Sequence, residues 1–221
     1  MTQTATVAPT RAASGNRAAA AAGVASAALL FLGVGILSPP FAATDAELVA
    51  WWSDDGNLTT TVVSMYLFVA SALAFLAFAA ALAARIAAGP GGRTPAAVVL
   101  AGGTVYATLL ITAGAARGVV AKAVSLNDLS LPGVDTLRYL TQLAATVLGV
   151  GAMLTAAVAI TAASYAILRT QVFGRWLGWL GIVAAVVVLA IQATAVGEFA
   201  IPAILIWTVA TSAAIWRPPA S

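Results

Sequence analysis

Apolar residues fill this chain in six long stretches separated by short polar breaks. The pattern predicts helices over residues 18–38, 58–86, 95–116, 136–168, 176–196 and 199–216. Each stretch approaches or exceeds the roughly 20 residues that an α-helix needs to cross a hydrocarbon core. Short segments of alternating polarity, the mark of a membrane β-barrel, are missing from the sequence. The breaks agree with the stretches. "LSPP" ends the first, because proline neither donates to a helical ladder nor fits inside one. "AAGPGGRTP" reads as a tight loop between the second and third. Asn57, Thr94 and Asp135 are the expected N-caps of the second, third and fourth helices. Pro95 and Pro202 stand in first turns, where proline is tolerated.

Composition names the solvent. Of 221 residues, 62% are hydrophobic and 8% charged, against about 25% charged in soluble domains. A chain this apolar suits a bilayer rather than an aqueous globule. The expected fold is all-α: a polytopic membrane bundle of six transmembrane helices occupying residues 18–217. A polar tail, 1–17, is expected to be disordered, and a short tail, 218–221, follows the last helix. The first apolar run exceeds the roughly 7–15 residues of a signal-peptide core, so it is read as an uncleaved helix.

Charge supplies an orientation. Six spans put Arg11, Arg17, Arg85, Arg93, Arg169, Arg175 and Arg217 on one face. The other face takes Arg117, Lys122 and Arg138, with Asp45, Glu47, Asp54, Asp55, Asp128, Asp135 and Glu198. The excess of arginine predicts a cell-membrane protein with both termini cytoplasmic.

The chemistry left open is narrow. Without cysteine or histidine, the chain has no disulfide, no His-based zinc site and no Ser-His-Asp triad. No phosphate-binding or dinucleotide motif is present, and the sided charge gives no nucleic-acid patch. At about 1.5 Å per residue, Arg117 and Glu198 come about 33 Å along their helices, at the outer interface. No ionised residue need therefore lie mid-membrane, where ion and proton pathways keep theirs. Gln192, about 24 Å above Trp176 by the same rise, falls in the outer leaflet. Two readings stand for these residues. In one, Gln192 and the scattered threonines bond across helices, and the outer charges are solvated. In the other, Asp54, Asp55, Arg117, Arg138, Glu198 and Gln192 form an outward-facing polar vestibule. "SDDGN" lacks the spread ligands and closing glutamate of a calcium loop, so no metal site is assigned. Trp51, Trp52, Trp176, Trp179 and Trp216 are read as interfacial anchors. Gly114 and Gly118, and Gly174 and Gly178, have the spacing that lets helices approach closely.

"LSPP", "DAELVAWWSDDGN" and "RWLGWLGIVAAVVVL" before "LIWTVATSAAIWR" together resemble an uncharacterised family of bacterial multi-pass membrane proteins. The resemblance implies a small helical bundle, with no assigned activity and no functional residues to carry over. The expected function is non-enzymatic and needs no cofactor. It is that of a structural or accessory protein in the lipid bilayer, packing as a homo-oligomer or within a larger membrane complex. The alternative is a carrier or binder of a small solute or lipid through the vestibule.

Overall fold

The computed structural model describes residues 9–36, 44–193 and 197–216. Their order is α1 (Pro9–Gly35), α2 (Asp45–Trp52), α3 (Asp55–Ala87), α4 (Arg93–Asn127), α5 (Val134–Thr146), a π turn (Val147–Ala152), α6 (Met153–Thr170), α7 (Arg175–Gln192), a 3-10 turn (Gly197–Ala200) and α8 (Ile201–Trp216). Among the described residues there is no strand. Five helices are long and apolar enough to cross a membrane: Gly15–Gly35 within α1, α3, α4, the continuous Val134–Thr170, and α7. The chain is thus a multi-pass membrane protein by length and composition. α8 is shorter, at 16 residues, or about 24 Å at the helical rise.

Each long helix packs on its neighbour in the chain, and the last returns to the first. α1 lies on α3, α3 on α4, α4 on α6, α6 on α7, α7 on α8, and α8 on α1. The interior is continuous and apolar, built from Phe68, Phe78, Leu110, Met153, Ile160 and Trp207 among others. An aromatic chain crosses it. Tyr106 of α4 meets Phe75 edge-on with centroids 4.6 Å apart, Phe75 leans on Phe78 at 5.7 Å, and Phe78 meets Trp207 of α8 at 6.4 Å. These separations suit edge-to-face aromatic pairs.

Polar stitches join the helices inside this core. The Ser71 hydroxyl donates to the Ser26 carbonyl at 2.9 Å, and Ser64 donates to the Gly33 carbonyl at 2.8 Å. Both tie α3 to α1. Glycine permits a close approach of α3 to α4. A Cβ at Gly114 would stand 2.8 Å from the Phe68 Cβ, and one at Gly118 would stand 2.6 Å from the Met65 sulfur. The Gly114–Gly118 spacing is therefore a real contact face, whereas Gly174 only precedes α7 as its N-cap.

Several boundaries differ from the sequence reading. α1 begins at Pro9, inside the stretch expected as a tail, and α4 runs past Ala116 to Asn127. The N-caps are not Asn57, Thr94 and Asp135 but Asp54, Gly92 and Gly133. Each helix starts a residue or more earlier, because the polar residues taken as caps fit within a first turn. The fourth predicted helix is interrupted by the π turn, where Gly149 and Gly151 occur. α2 was expected as loop. Residues 1–8, the expected end of the first helix at 37–38 with Pro39 and Pro40, residues 194–196 and the tail from Arg217 onward lie outside the described residues.

Candidate functional site

The acidic end of the bundle is a small structure of its own. Thr44 opens α2 with a capping box. Its hydroxyl accepts from the Glu47 N–H at 3.3 Å, while the Glu47 carboxylate accepts from the Thr44 N–H at 2.8 Å. Two orphan donors of the helix start are satisfied at once. The Thr44 N–H foremost, and then the Thr44 hydroxyl, which donates to the same carboxylate at 2.9 Å, hold the Glu47 carboxyl below its ordinary range. α2 then lays Leu48 and Trp52 on Leu58 of α3, Val120 and Ala121 of α4, and Leu137 of α5. This second core is separate from the main one. Trp52 is only 3% exposed, so it is a packing residue here and not the anchor at the bilayer surface that its position suggested. Trp51 is half-buried, and Trp176, Trp179 and Trp216 are exposed.

The aspartates of "WWSDDGN" have local work. Asp54 caps α3, its carboxylate accepting from the Asn57 N–H at 2.8 Å. Asn57 in turn donates its side-chain amide to the Trp51 carbonyl at 3.1 Å, fixing the turn between α2 and α3. Asp55 lies exposed in the first turn of α3, where a negative charge suits the helix dipole. Replacing Asp54 by Ala should cost about 1 kcal/mol, the usual value of a lost cap. Asp55→Asn should change stability by less than about 0.5 kcal/mol. Thermal unfolding in detergent measures both; equal losses would mean that the pair acts together rather than as cap and neighbour.

The basic residues of the expected vestibule go to different places. Arg138 of α5 forms an ion pair with Asp45 of α2, at 2.7 Å. Arg117 of α4 donates to the Ile36 carbonyl at 3.0 Å, at the end of α1. A cation there meets carbonyls that an ending helix leaves unbonded. Arg85 of α3 does the same at the opposite end of the bundle, donating to the Ile215 carbonyl of α8 at 3.2 Å and lying over the Phe173 ring at 5.7 Å. The pair of caps sets the polarity: α1 ends beside Arg117, ten residues before the end of α4, and α3 and α8 end together.

Gln192 is half-buried. Its amide donates to the Gly149 carbonyl in the π turn. A π turn throws the hydrogen-bond ladder one residue out of step, and Gln192 of α7 binds into that irregular segment. Of the other mid-helix tyrosines, Tyr106 is fully buried and Tyr66 faces outward. The Glu198 side chain lies outside the described residues. Thus Asp54, Arg117, Arg138 and Gln192 each have a separate structural contact, on four different helix junctions. No group of three or more potential metal-binding side chains occurs among the described residues.

A separate opening lies toward the basic end. A cavity of about 790 Å³ runs along α6 between α4 and α7. Sequence reasoning missed it, although Thr161, Tyr165 and Arg169 at four-residue spacing do put polar groups on one face of α6. Comparison with protein-family models, with curated proteins and with solved structures finds no match to this chain.

Proposed function

We propose that this protein is a non-enzymatic, six-span component of the cell membrane that works by lateral packing, with itself or within a larger membrane complex. The supporting observation is the commitment of its polar residues to internal contacts. Gln192 binds Gly149, Arg117 caps α1, and Arg85 caps α8. The surface left outside is apolar, with Phe31, Leu73, Val186 and Ile206 all exposed. Such a bundle offers neighbours a surface, and the Gln192 amide serves the π turn.

α8 is the proposed sixth span. Its length of about 24 Å falls short of a 30 Å core, but the preceding turn and modest bilayer thinning can make up the difference. Its packing between α7 and α1 supports this count. Six spans put both termini in the cytoplasm with the arginine-rich end. Cysteines introduced at Ser53 and Ser130, both exposed at the acidic end, should then react with an impermeant thiol reagent on intact cells. One at Thr94 should not, and the opposite labelling would reverse the topology.

Lateral packing has its own measurement. Extracted in mild detergent and weighed by native mass spectrometry, the protein should travel as a defined assembly heavier than its 22.0 kDa chain. A lone chain, with no cross-linked species from cysteines at Leu73 or Val186 in native membranes, would sink the proposal.

A further inference from the structure

The cavity on α6 has two unlike ends. Its floor is one face of α6: Leu154, Val158, Thr161, Tyr165 and Arg169. Val98 of α4 and Leu189 of α7 form the walls. α6 can serve as a floor because it is recessed. Half of the most apolar window of the Val134–Thr170 helix is buried, against a third for α7. At its basic end the groove has the Arg169 guanidinium, the Thr94 hydroxyl and the start of α4. Gly92, the N-cap there, gives the first-turn N–H groups no side-chain partner. Arg169 is already oriented: it donates to the Tyr165 hydroxyl at 2.8 Å and stands over that ring at 5.6 Å. Away from this end, Val158, Leu154 and Leu189 present only hydrocarbon.

We infer that this groove binds an anionic phospholipid of the surrounding bilayer, with its phosphate at Arg169 and one acyl chain lying along Val158 and Leu154. Length, sidedness and charge all agree. From Arg169 to Leu154 the groove extends about 22 Å at the helical rise. One leaflet offers nearly the same, about 15 Å of hydrocarbon plus its headgroup layer. Floor and walls are lipid-facing surfaces of membrane-crossing helices, with Val158 of the floor 56% and Leu189 of a wall 53% exposed, so the groove opens to lipid along its length. Its volume falls in the range of about 300–1,000 Å³ typical of ligand pockets. At the headgroup end, the planar guanidinium can meet a phosphate through two parallel N–H groups. Arg93 and Arg175, which begin α4 and α7, add positive charge at the same end of the bundle. Basic pockets between membrane helices select anionic headgroups in this way.

Native mass spectrometry of the detergent-purified protein, titrated with phosphatidylglycerol or phosphatidylcholine of identical acyl chains, tests the assignment. The anionic lipid should bind at about one tenth the concentration: both headgroups carry the phosphate, but only phosphatidylglycerol has a net negative charge for the arginine-rich end to attract, whereas the choline cation opposes it. Arg169→Gln should bring it to the level of phosphatidylcholine. Val158→Trp, which sets an indole in the groove from an outward-facing position, should weaken both lipids about tenfold. Unfolding temperatures identify any variant that has lost its fold. Equal binding of the two lipids by the native protein would overturn the inference. So would undiminished phosphatidylglycerol binding by folded Arg169→Gln or folded Val158→Trp. Displacement of the lipid by millimolar inorganic phosphate would mean an anion site without an acyl-chain groove. Failure of this test leaves the lateral-packing proposal untouched, because the two have different readouts.

Discussion

Trp52→Ala should cost about 3–5 kcal/mol, the range for truncating a fully buried large aromatic, and the loss should be local. Trp52 closes the second core with Leu48, Leu58, Val120, Ala121 and Leu137. Those six residues come from four helices, so one side chain holds α2 against the starts of α3 and α5 and the far part of α4. The main core is a separate set, and it does not lose a contact. The expected signature is therefore an early, partial transition on heating in detergent, with the chain around Ser53 becoming open to protease while the long helices keep their far-UV signal. Trp51→Ala should do much less, because Trp51 is half-buried and touches Trp52 only edge-on, at 4.9 Å. Trp52→Phe should retain most of the stability, since the indole N–H has no hydrogen-bond partner among the described residues. Equal effects at 51 and 52, or a single cooperative loss of the whole bundle, would contradict the separation of the two cores.

Gly114→Leu should disrupt the bundle as a whole. A Cβ at this position already stands 2.8 Å from the Phe68 Cβ and 3.2 Å from the Met65 carbonyl oxygen. Neither is the loose end of a flexible side chain, so α3 and α4 must separate to admit it. Their contact is the most extensive in the molecule. Overpacking a tight core usually costs about 1–3 kcal/mol, and a branched four-carbon side chain against backbone belongs at or beyond the upper end. Phe68 also leads into the main core, so the separation spreads inward. Gly133→Ala is the matched control: nothing lies within 4 Å of a Cβ there, and its unfolding temperature should match that of the native protein. A folded Gly114→Leu with native stability would show that α3 and α4 are looser than these distances require.

Hydrophobic runs showed where helices lie, because a bilayer demands long apolar segments and leaves few ways to hide one. Their ends were harder to see. Asp54, Gly92 and Gly133 cap helices that Asn57, Thr94 and Asp135 seemed to open, and several polar residues near each boundary satisfy the same cap preference. α2 was missed although its signature stood in plain sight: Thr44 followed three residues later by Glu47, ahead of an apolar run. Its eight residues are too few to span, so a search for spans passes over them. The vestibule expected from Asp54, Asp55, Arg117, Arg138, Glu198 and Gln192 rests on shared depth, and depth along a helix says nothing of the direction in which a side chain points. Asp54, Arg117, Arg138 and Gln192 each make a contact at a different helix junction. The groove on α6 depends on which helix is recessed, a property of the packed ring that no single helix carries.

The ring also has an order in time. Every helix from α3 to α7 meets an earlier neighbour as soon as it is made, so the bundle can grow hairpin by hairpin. α1 is the exception. Its serine-bearing side meets α3 at once, through Ser26 and Ser71. Its other side, around Gly23 where a Cβ would strike both the Ser212 hydroxyl and the Phe78 ring, meets α8, which comes far later in the chain. Until α8 is made, α3 covers that side only in part. The growing protein therefore has an open seam along its first helix, and the arrival of α8 is what closes it.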